Sequence, residues 1–394
     1  MPRPAVRPHP RSMSCTTVPT RPAAASIDDL VAATPDSRDR AVDFLRALSI
    51  VVVVCWHWVF SITHWNDEGA LTMPNPIGDV PGLWLLTWVL QIMPLFFFVG
   101  GFANSVAWAA NRRKGASTAS FLRTRLKRLG TPIAVFAIGW TAFEVVAHLA
   151  FPSYTGVLHW GFVVFVPLWF LGVYSAVVAL APVTLRLHER APFMALGVLA
   201  GLVALVDIVH FNTGVDAVGF ANVLLVFLFV HQLGYFYGDG TFTRPGSKAP
   251  WRLTFGGLAA IIVLTTFGPY PHSMVAIRGE GVSNMFPPNL AIAALGMFQA
   301  GLALLLRPAL NRWLARRRPW KVVVSVNAIA MTIFTWHMTA YVAAIALVEA
   351  LGGTLGSAPT AGWWLQRPLW LLLPGAFLAG LLAIFSRHEL RGRG

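Results

Sequence analysis

The sequence predicts an all-α membrane protein, a polytopic bundle of about ten transmembrane helices with both termini in the cytoplasm. Three observations carry that prediction. The 394 residues are 56% hydrophobic and only 12% charged, against about a quarter charged in ordinary soluble domains. Apolar stretches long enough to cross about 30 Å of hydrocarbon recur along the whole length. The basic residues fall in every second connection between those stretches, which is the positive-inside pattern.

The stretches run, in order, over about 42–64, 83–110, 131–151, 163–184, 192–211, 218–238, 253–270, 288–306, 322–349 and 368–386. Before the first lie 40 residues with six Arg and abundant Pro, Ala and Ser. They read as a disordered cytoplasmic tail and not as a cleavable signal peptide, because the first apolar run starts late and carries Arg46. The membrane domain is expected over 41–390. The second linker is basic at Arg112, Arg113, Lys114, Arg123, Arg125, Lys127 and Arg128. Its Leu122, Leu126 and Leu129 recur at helical spacing, so a surface helix dipping those leucines into lipid is expected, with a turn at Pro132 into span three. Later basic connections hold Arg186 and Arg190, then Arg244, Lys248 and Arg252, then Arg307 to Lys321, and finally Arg387 to Arg393. The alternate connections hold only Arg278 and Arg367. A miscounted span would break this alternation.

A net charge of +14 would suit nucleic acid, but this distribution assigns it to topology and excludes a nucleic-acid partner. The partner surface is the lipid bilayer. Two cysteines, Cys15 and Cys55, offer no disulfide framework, and without a CxxC or HExxH pattern neither a structural nor a catalytic metal is expected. No internal repeat and no connection long enough for a soluble domain is present.

Ionisable groups inside an apolar helix are costly and normally face a protein interior or a wet pathway. Arg46 and His57 are 11 positions apart, about 16 Å of rise and about three turns, so one helix face carries both. Asp43, Ser61 and His64 are expected on that face. Arg46 also suits a snorkelling role near the membrane boundary, and His57 a satisfied packing role. Arg125 and Arg128 point together from the second linker. They serve either as topology markers touching anionic lipid or as a clamp of two guanidinium forks for a pyrophosphate or phosphomonoester. Glu144 and His148, one turn apart in span three, either meet an acceptor or pair with each other. His337 is a candidate for the cavity lining, whereas His231 and Glu349 lie near span ends and read as interfacial.

Taken together these residues resemble the acyltransferase family 3 membrane proteins. The family's opening signature, Asp, a short step to Arg, ten residues, then His, is matched by Asp43-Phe-Leu-Arg46 and His57. Pro94-Leu-Phe-Phe-Phe-Val-Gly-Gly-Phe102 resembles its Phe-Phe-x-x-Ser-Gly-Phe segment, with Gly100 where Ser is usual and without the aspartate often found just before. Phe121-x-x-x-Arg125-x-x-Arg128 followed by Pro132 matches its Arg-x-x-Arg linker. Leu168-Trp169-Phe170-Leu171 resembles its Leu-Trp-Phe-Leu segment, and Thr335-Trp336-His337 sits where a late Tyr-x-x-His is common. The likeness covers about 40 to 390.

The resemblance implies an integral membrane O-acyltransferase of the cell membrane, with no bound cofactor and acyl-coenzyme A as co-substrate. An acyl group, acetyl foremost, would pass to a hydroxyl of a carbohydrate or other small acceptor. Arg125, Arg128 and Arg46 would bind the donor's phosphates on the cytoplasmic side. His57 would act as general base on the acceptor hydroxyl or as an acyl-carrying nucleophile. Asp43 would orient Arg46, with Glu144, Trp169 and His337 in supporting roles. A proton-coupled secondary transporter is the alternative of a different class. The absence of paired, Gly- or Pro-broken half-repeats counts against it. Acceptor identity, acyl length and oligomeric state are not readable from the residues. The Pro/Arg/Ala-rich composition suits a GC-rich bacterial genome.

Overall fold

A computed structural model describes residues 27–35, 38–387 and 389. Much of the expected amino-terminal tail, 1–26 with 36 and 37, lies outside the described residues, as do 388 and 390–394. Within the remainder of that stretch, Ile27–Ala32 forms a short helix. Asp28 on it meets Arg317 at 3.1 Å and Lys321 at 2.9 Å.

Among the described residues, nine helical stretches are long and apolar enough to span a membrane: Arg40–Val59, Trp84–Arg113, Thr118–Ala150, Phe162–Arg190, Pro192–Thr213, Asp216–Gly238, Ala249–Phe267, Leu290–Leu314 and Ala330–Ala350. A tenth apolar helix, Leu369–Phe385, has 17 residues and occupies the last predicted stretch. The protein is a polytopic helical bundle, and among the described residues the strands amount to one hairpin, His64–Trp65 paired antiparallel with Leu71–Thr72. Helices at the rim are buried along one line only. Pro192–Thr213 buries Val203 and Asp207 alone, so the rest of its apolar surface is left for lipid.

At the centre, Met93–Arg113 crosses Asn222–Gly238 at very short range. A Cβ on Gly101 would lie 2.0 Å from the His231 carbonyl oxygen, and one on Gly234 would lie 2.2 Å from that of Phe98. Only glycine admits two backbones this close, which is the way membrane helices gain dispersion contact without a hydrophobic driving force. Phe97 and Phe227 stack beside the crossing, ring centroids 4.1 Å apart.

Three expectations about element boundaries, and one about where the linker leucines face, are corrected. Thr118–Ala150 is one continuous helix with Pro132 inside it, not a surface helix and a turn. Proline has no N–H, so the Arg128 carbonyl one turn back loses its helical donor while the helix continues on both sides, as membrane helices tolerate. Leu122 packs on the Trp108–Phe121 cluster, and Leu129 faces a cavity rather than lipid. The predicted run 322–349 is divided at Ile329, where φ is −128°. Arg317–Ala328 is a separate helix, so the amphipathic helix expected in the second linker is found here instead. Finally, the first span ends at Val59, which removes Ser61 and His64 from its stripe. His64 belongs to the hairpin.

Candidate active site

One stripe of the Arg40–Val59 helix links two cavities. Arg46 and Ile50 line the first, of about 90 Å³. Val53 and His57 line the second, of about 140 Å³. Residues 46, 50, 53 and 57 are spaced at helical period. Three other helices follow the same order. Met93–Arg113 gives Gly100 and Phe96 to the first cavity and Met93 to the second. Leu168–Arg190 gives Tyr174, then Phe170, and Ala330–Ala350 gives Met331, then Phe334. Each cavity has room for several waters. Phe170 stands between them, its ring 5.0 Å from Phe96, 5.9 Å from Tyr174 and 5.2 Å from Phe334.

The first cavity is basic. Arg46, Arg125 and Arg128 all reach it, the last two from the Thr118–Ala150 helix. The Arg46 Nε donates to Asn327 Oδ1 at 2.7 Å, and its Nη2 lies 3.3 Å from Asp43. Asp43 is buried and also takes Arg38 at 2.6 Å, while the Asn327 amide nitrogen donates to the Asp43 carbonyl at 2.8 Å. Arg46 is therefore pinned from two sides. Arg125 is held by a bond from its Nη2 to the Ala103 carbonyl. A Cβ on Gly100 would lie 2.8 Å from the Tyr174 ring, so the glycine that departs from the expected serine gives the tyrosine its place in the wall.

The second cavity is lined by His57, whose ring is paired on its buried side with that of His337. His57 Nδ1 lies 2.8 Å from His337 Nε2, and the rings are within 6° of coplanar, as an in-plane N–H···N bond requires. His337 Nδ1 lies 2.7 Å from the Phe334 carbonyl oxygen. A carbonyl only accepts, so His337 carries its proton on Nδ1 and its Nε2 accepts. His57 must then donate from Nδ1, which places the lone pair on His57 Nε2. That nitrogen makes no hydrogen bond among the described residues, and His57 lines the cavity. The Trp58 indole fixes the far side by donating to the His337 carbonyl at 3.1 Å.

The structure thus brings His57 and Trp169 to one cavity and Arg46, Arg125 and Arg128 to the next, with Asp43 behind Arg46. His337, expected in the cavity lining, is instead fully buried behind His57 and reaches the cavity only through it. Glu144 is not brought there. The Glu144 carboxylate accepts from the Tyr154 hydroxyl at 2.6 Å and the Val157 N–H at 3.1 Å, beside a separate groove. Its His148 lies 3.9 Å away. Of the other histidines singled out, His231 is buried mid-helix and meets Asn104 at 3.0 Å. Three contributors escaped the sequence reading: Asn327, Tyr174 and Glu389, the last of which lines the basic cavity from the carboxyl end. A lone Asn closing the run Val322-Val-Val-Ser-Val-Asn327 was the one available signal.

The acyltransferase domain model of acyltransferase family 3 matches residues 39–388. The chain belongs to this family. No curated protein and no solved structure matches it. Both cavities of this membrane acyltransferase lie within the matched segment, and all the residues that build the imidazole pair and the arginine cluster fall inside it except Arg38 and Glu389, which lie just beyond its ends.

Proposed function

We propose that this acyltransferase moves an acyl group, acetyl foremost, from acyl-coenzyme A to a hydroxyl of a carbohydrate or other small acceptor, with His57 as general base. The observation that carries the reading is the single stripe from Arg46 to His57, which joins a cavity rich in guanidinium groups to one holding a free imidazole nitrogen. Eleven residues of helix span about 16 Å, a separation that suits a donor with phosphates at one end and a thioester at the end of a long flexible arm.

In this account the donor enters from the cytoplasmic face of the cell membrane, the face assigned to the basic connections. Arg125, Arg128 and Arg46 grip its phosphates through forked, charge-assisted bonds. The arm passes Phe170 and brings the thioester carbonyl beside His57. His57 Nε2 takes the proton of the acceptor hydroxyl as its oxygen attacks that carbonyl. The resulting imidazolium is stabilised by the Nδ1–H bond to His337, whose Nε2 can share the charge. Collapse of the tetrahedral adduct expels the thiolate, which recovers the proton from His57. Among the cavity residues with N–H donors, Gln91 is engaged by the Met274 carbonyl. Its second amide N–H and the indoles of Trp56 and Trp169 are the side-chain donors that would serve the developing oxyanion.

The donor assignment is tested by replacing Arg125 and Arg128 together with alanine and measuring acyl transfer against acyl-coenzyme A concentration. Loss of two charged hydrogen-bonding groups, each worth about 1.5–3 kcal/mol, should raise KM by about a hundredfold or more. The KM for an acyl-pantetheine, which lacks the nucleotide phosphates, should not change. Unchanged dependence on acyl-coenzyme A would remove the phosphate clamp.

A further inference from the structure

The Ala330–Ala350 helix begins inside the basic cavity, with Ala330 and Met331 in its wall. The first N–H groups of any helix lack partners within it. Here two of them are taken by a carboxylate from the far end of the chain. Glu389 accepts from the Met331 N–H at 3.2 Å, the Thr332 N–H at 3.0 Å and the Thr332 hydroxyl at 2.9 Å. Glu389 itself lines the cavity together with Arg46, Arg125 and Arg128. An anion of the protein is thus seated where three guanidinium groups and the positive end of a 21-residue helix converge.

We propose that this helix end is an additional phosphate subsite of the donor cavity, and that Glu389 is a tethered competitor which the donor displaces. The inference rests on reading that cavity as the place where the donor's phosphates bind. The donor set held by Glu389, two consecutive backbone N–H groups and a hydroxyl, is one that helix starts offer to phosphate. A phosphate presents more acceptor oxygens and more charge than a carboxylate, so it gains more from the helix end and from the arginines. The two anions cannot share the position without like-charge repulsion. Glu389 lies four residues beyond Phe385, the last residue of the Leu369–Phe385 helix, so withdrawing it leaves the span that carries it in place. Without donor, the carboxylate keeps the helix end satisfied. With donor, its departure couples occupancy of the cavity to the position of Glu389.

The test titrates coenzyme A and, separately, inorganic pyrophosphate onto the detergent-solubilised full-length protein by calorimetry. Wild type is compared with Glu389→Gln, which keeps the shape and a capping oxygen but not the charge, and with Thr332→Val, which removes one donor at nearly constant volume. Glu389→Gln should tighten both anions by about fivefold, the order of a favourable helix-terminus charge interaction, and Thr332→Val should weaken both. Equal or weaker anion binding by Glu389→Gln overturns the proposal, as does unaltered binding by Thr332→Val. If Glu389→Gln merely unfolds at lower temperature with unchanged affinities, Glu389 is a helix cap and no competitor. Pyrophosphate responding as stated while coenzyme A binds none of the three proteins would keep the subsite and discard the donor assignment.

Discussion

A histidine can serve as a base when something fixes which nitrogen holds its proton, and the group that fixes His57 is a second histidine. The Phe334 carbonyl sets the tautomer of His337, and His337 sets that of His57. Replacing His337 with alanine should leave His57 in place but free to rotate and change tautomer. The account predicts that kcat falls at least about tenfold, as expected for an orienting partner of a catalytic histidine, and that KM for the donor is unchanged. The pH–rate profile should move as well, a change that a purely structural loss would not produce. Rescue of kcat by His337→Gln, whose side-chain oxygen can accept from Nδ1, would point to the hydrogen bond rather than to the ring. Arg46 and His57 were legible in the sequence because one helix carries both and period alone aligns them. Their pairings were not: Asn327 drew no attention and His337 was a candidate only in its own right, since these partners lie 281 and 280 positions away and no local spacing encodes such a contact.

Elements hold these side chains in register through close crossings and a few buried clamps. Gly101 meets the backbone of the facing helix so closely that an added Cβ must displace it. Gly101→Ala should lower stability by about 1–3 kcal/mol, the usual cost of overpacking, read as a lower unfolding temperature in detergent together with weakened activity. A second clamp fixes the entry of the His57 helix. Asp39, just before that span, accepts from Arg307 Nε at 2.7 Å and Asn311 at 3.2 Å, and also from the Tyr237 hydroxyl. Burial would raise its pKa, but these donors outweigh burial and hold the carboxyl below its ordinary value of 3.8. A carboxyl depressed in the folded state stabilises fully above that ordinary value, and the contribution fades as pH falls through the lowered one. The difference in unfolding temperature between wild type and Asp39→Asn should therefore be constant near neutrality and shrink only below about pH 4. A difference that shrank between pH 7 and pH 5 would contradict this. The element types were legible from apolar length, whereas their joints were not. Pro132 reads as a break, yet the helix runs through it from Thr118 to Ala150. Val322-Val-Val reads as the start of a span until Arg317 and Lys321 are seen anchored by Asp28.

At the scale of the whole molecule, ten apolar stretches and an alternation of charge were enough to anticipate the bundle, because lipid leaves a chain few ways to satisfy its backbone. The two-cavity path was not visible in advance, since it depends on four helices presenting matched stripes to one axis. Under the proposed function that path would have a direction, with phosphates toward the arginines and chemistry at His57, where the acceptor would meet the thioester. The central claim is that His57 is the base for acyl transfer. It is tested most directly with purified protein, radiolabelled acetyl-coenzyme A and a crude acceptor extract, wild type beside His57→Ala, with membrane insertion checked for both. The account predicts label in a product with wild type and a loss of at least about a hundredfold with His57→Ala, the scale of general-base catalysis. Equal transfer by the two proteins would contradict it.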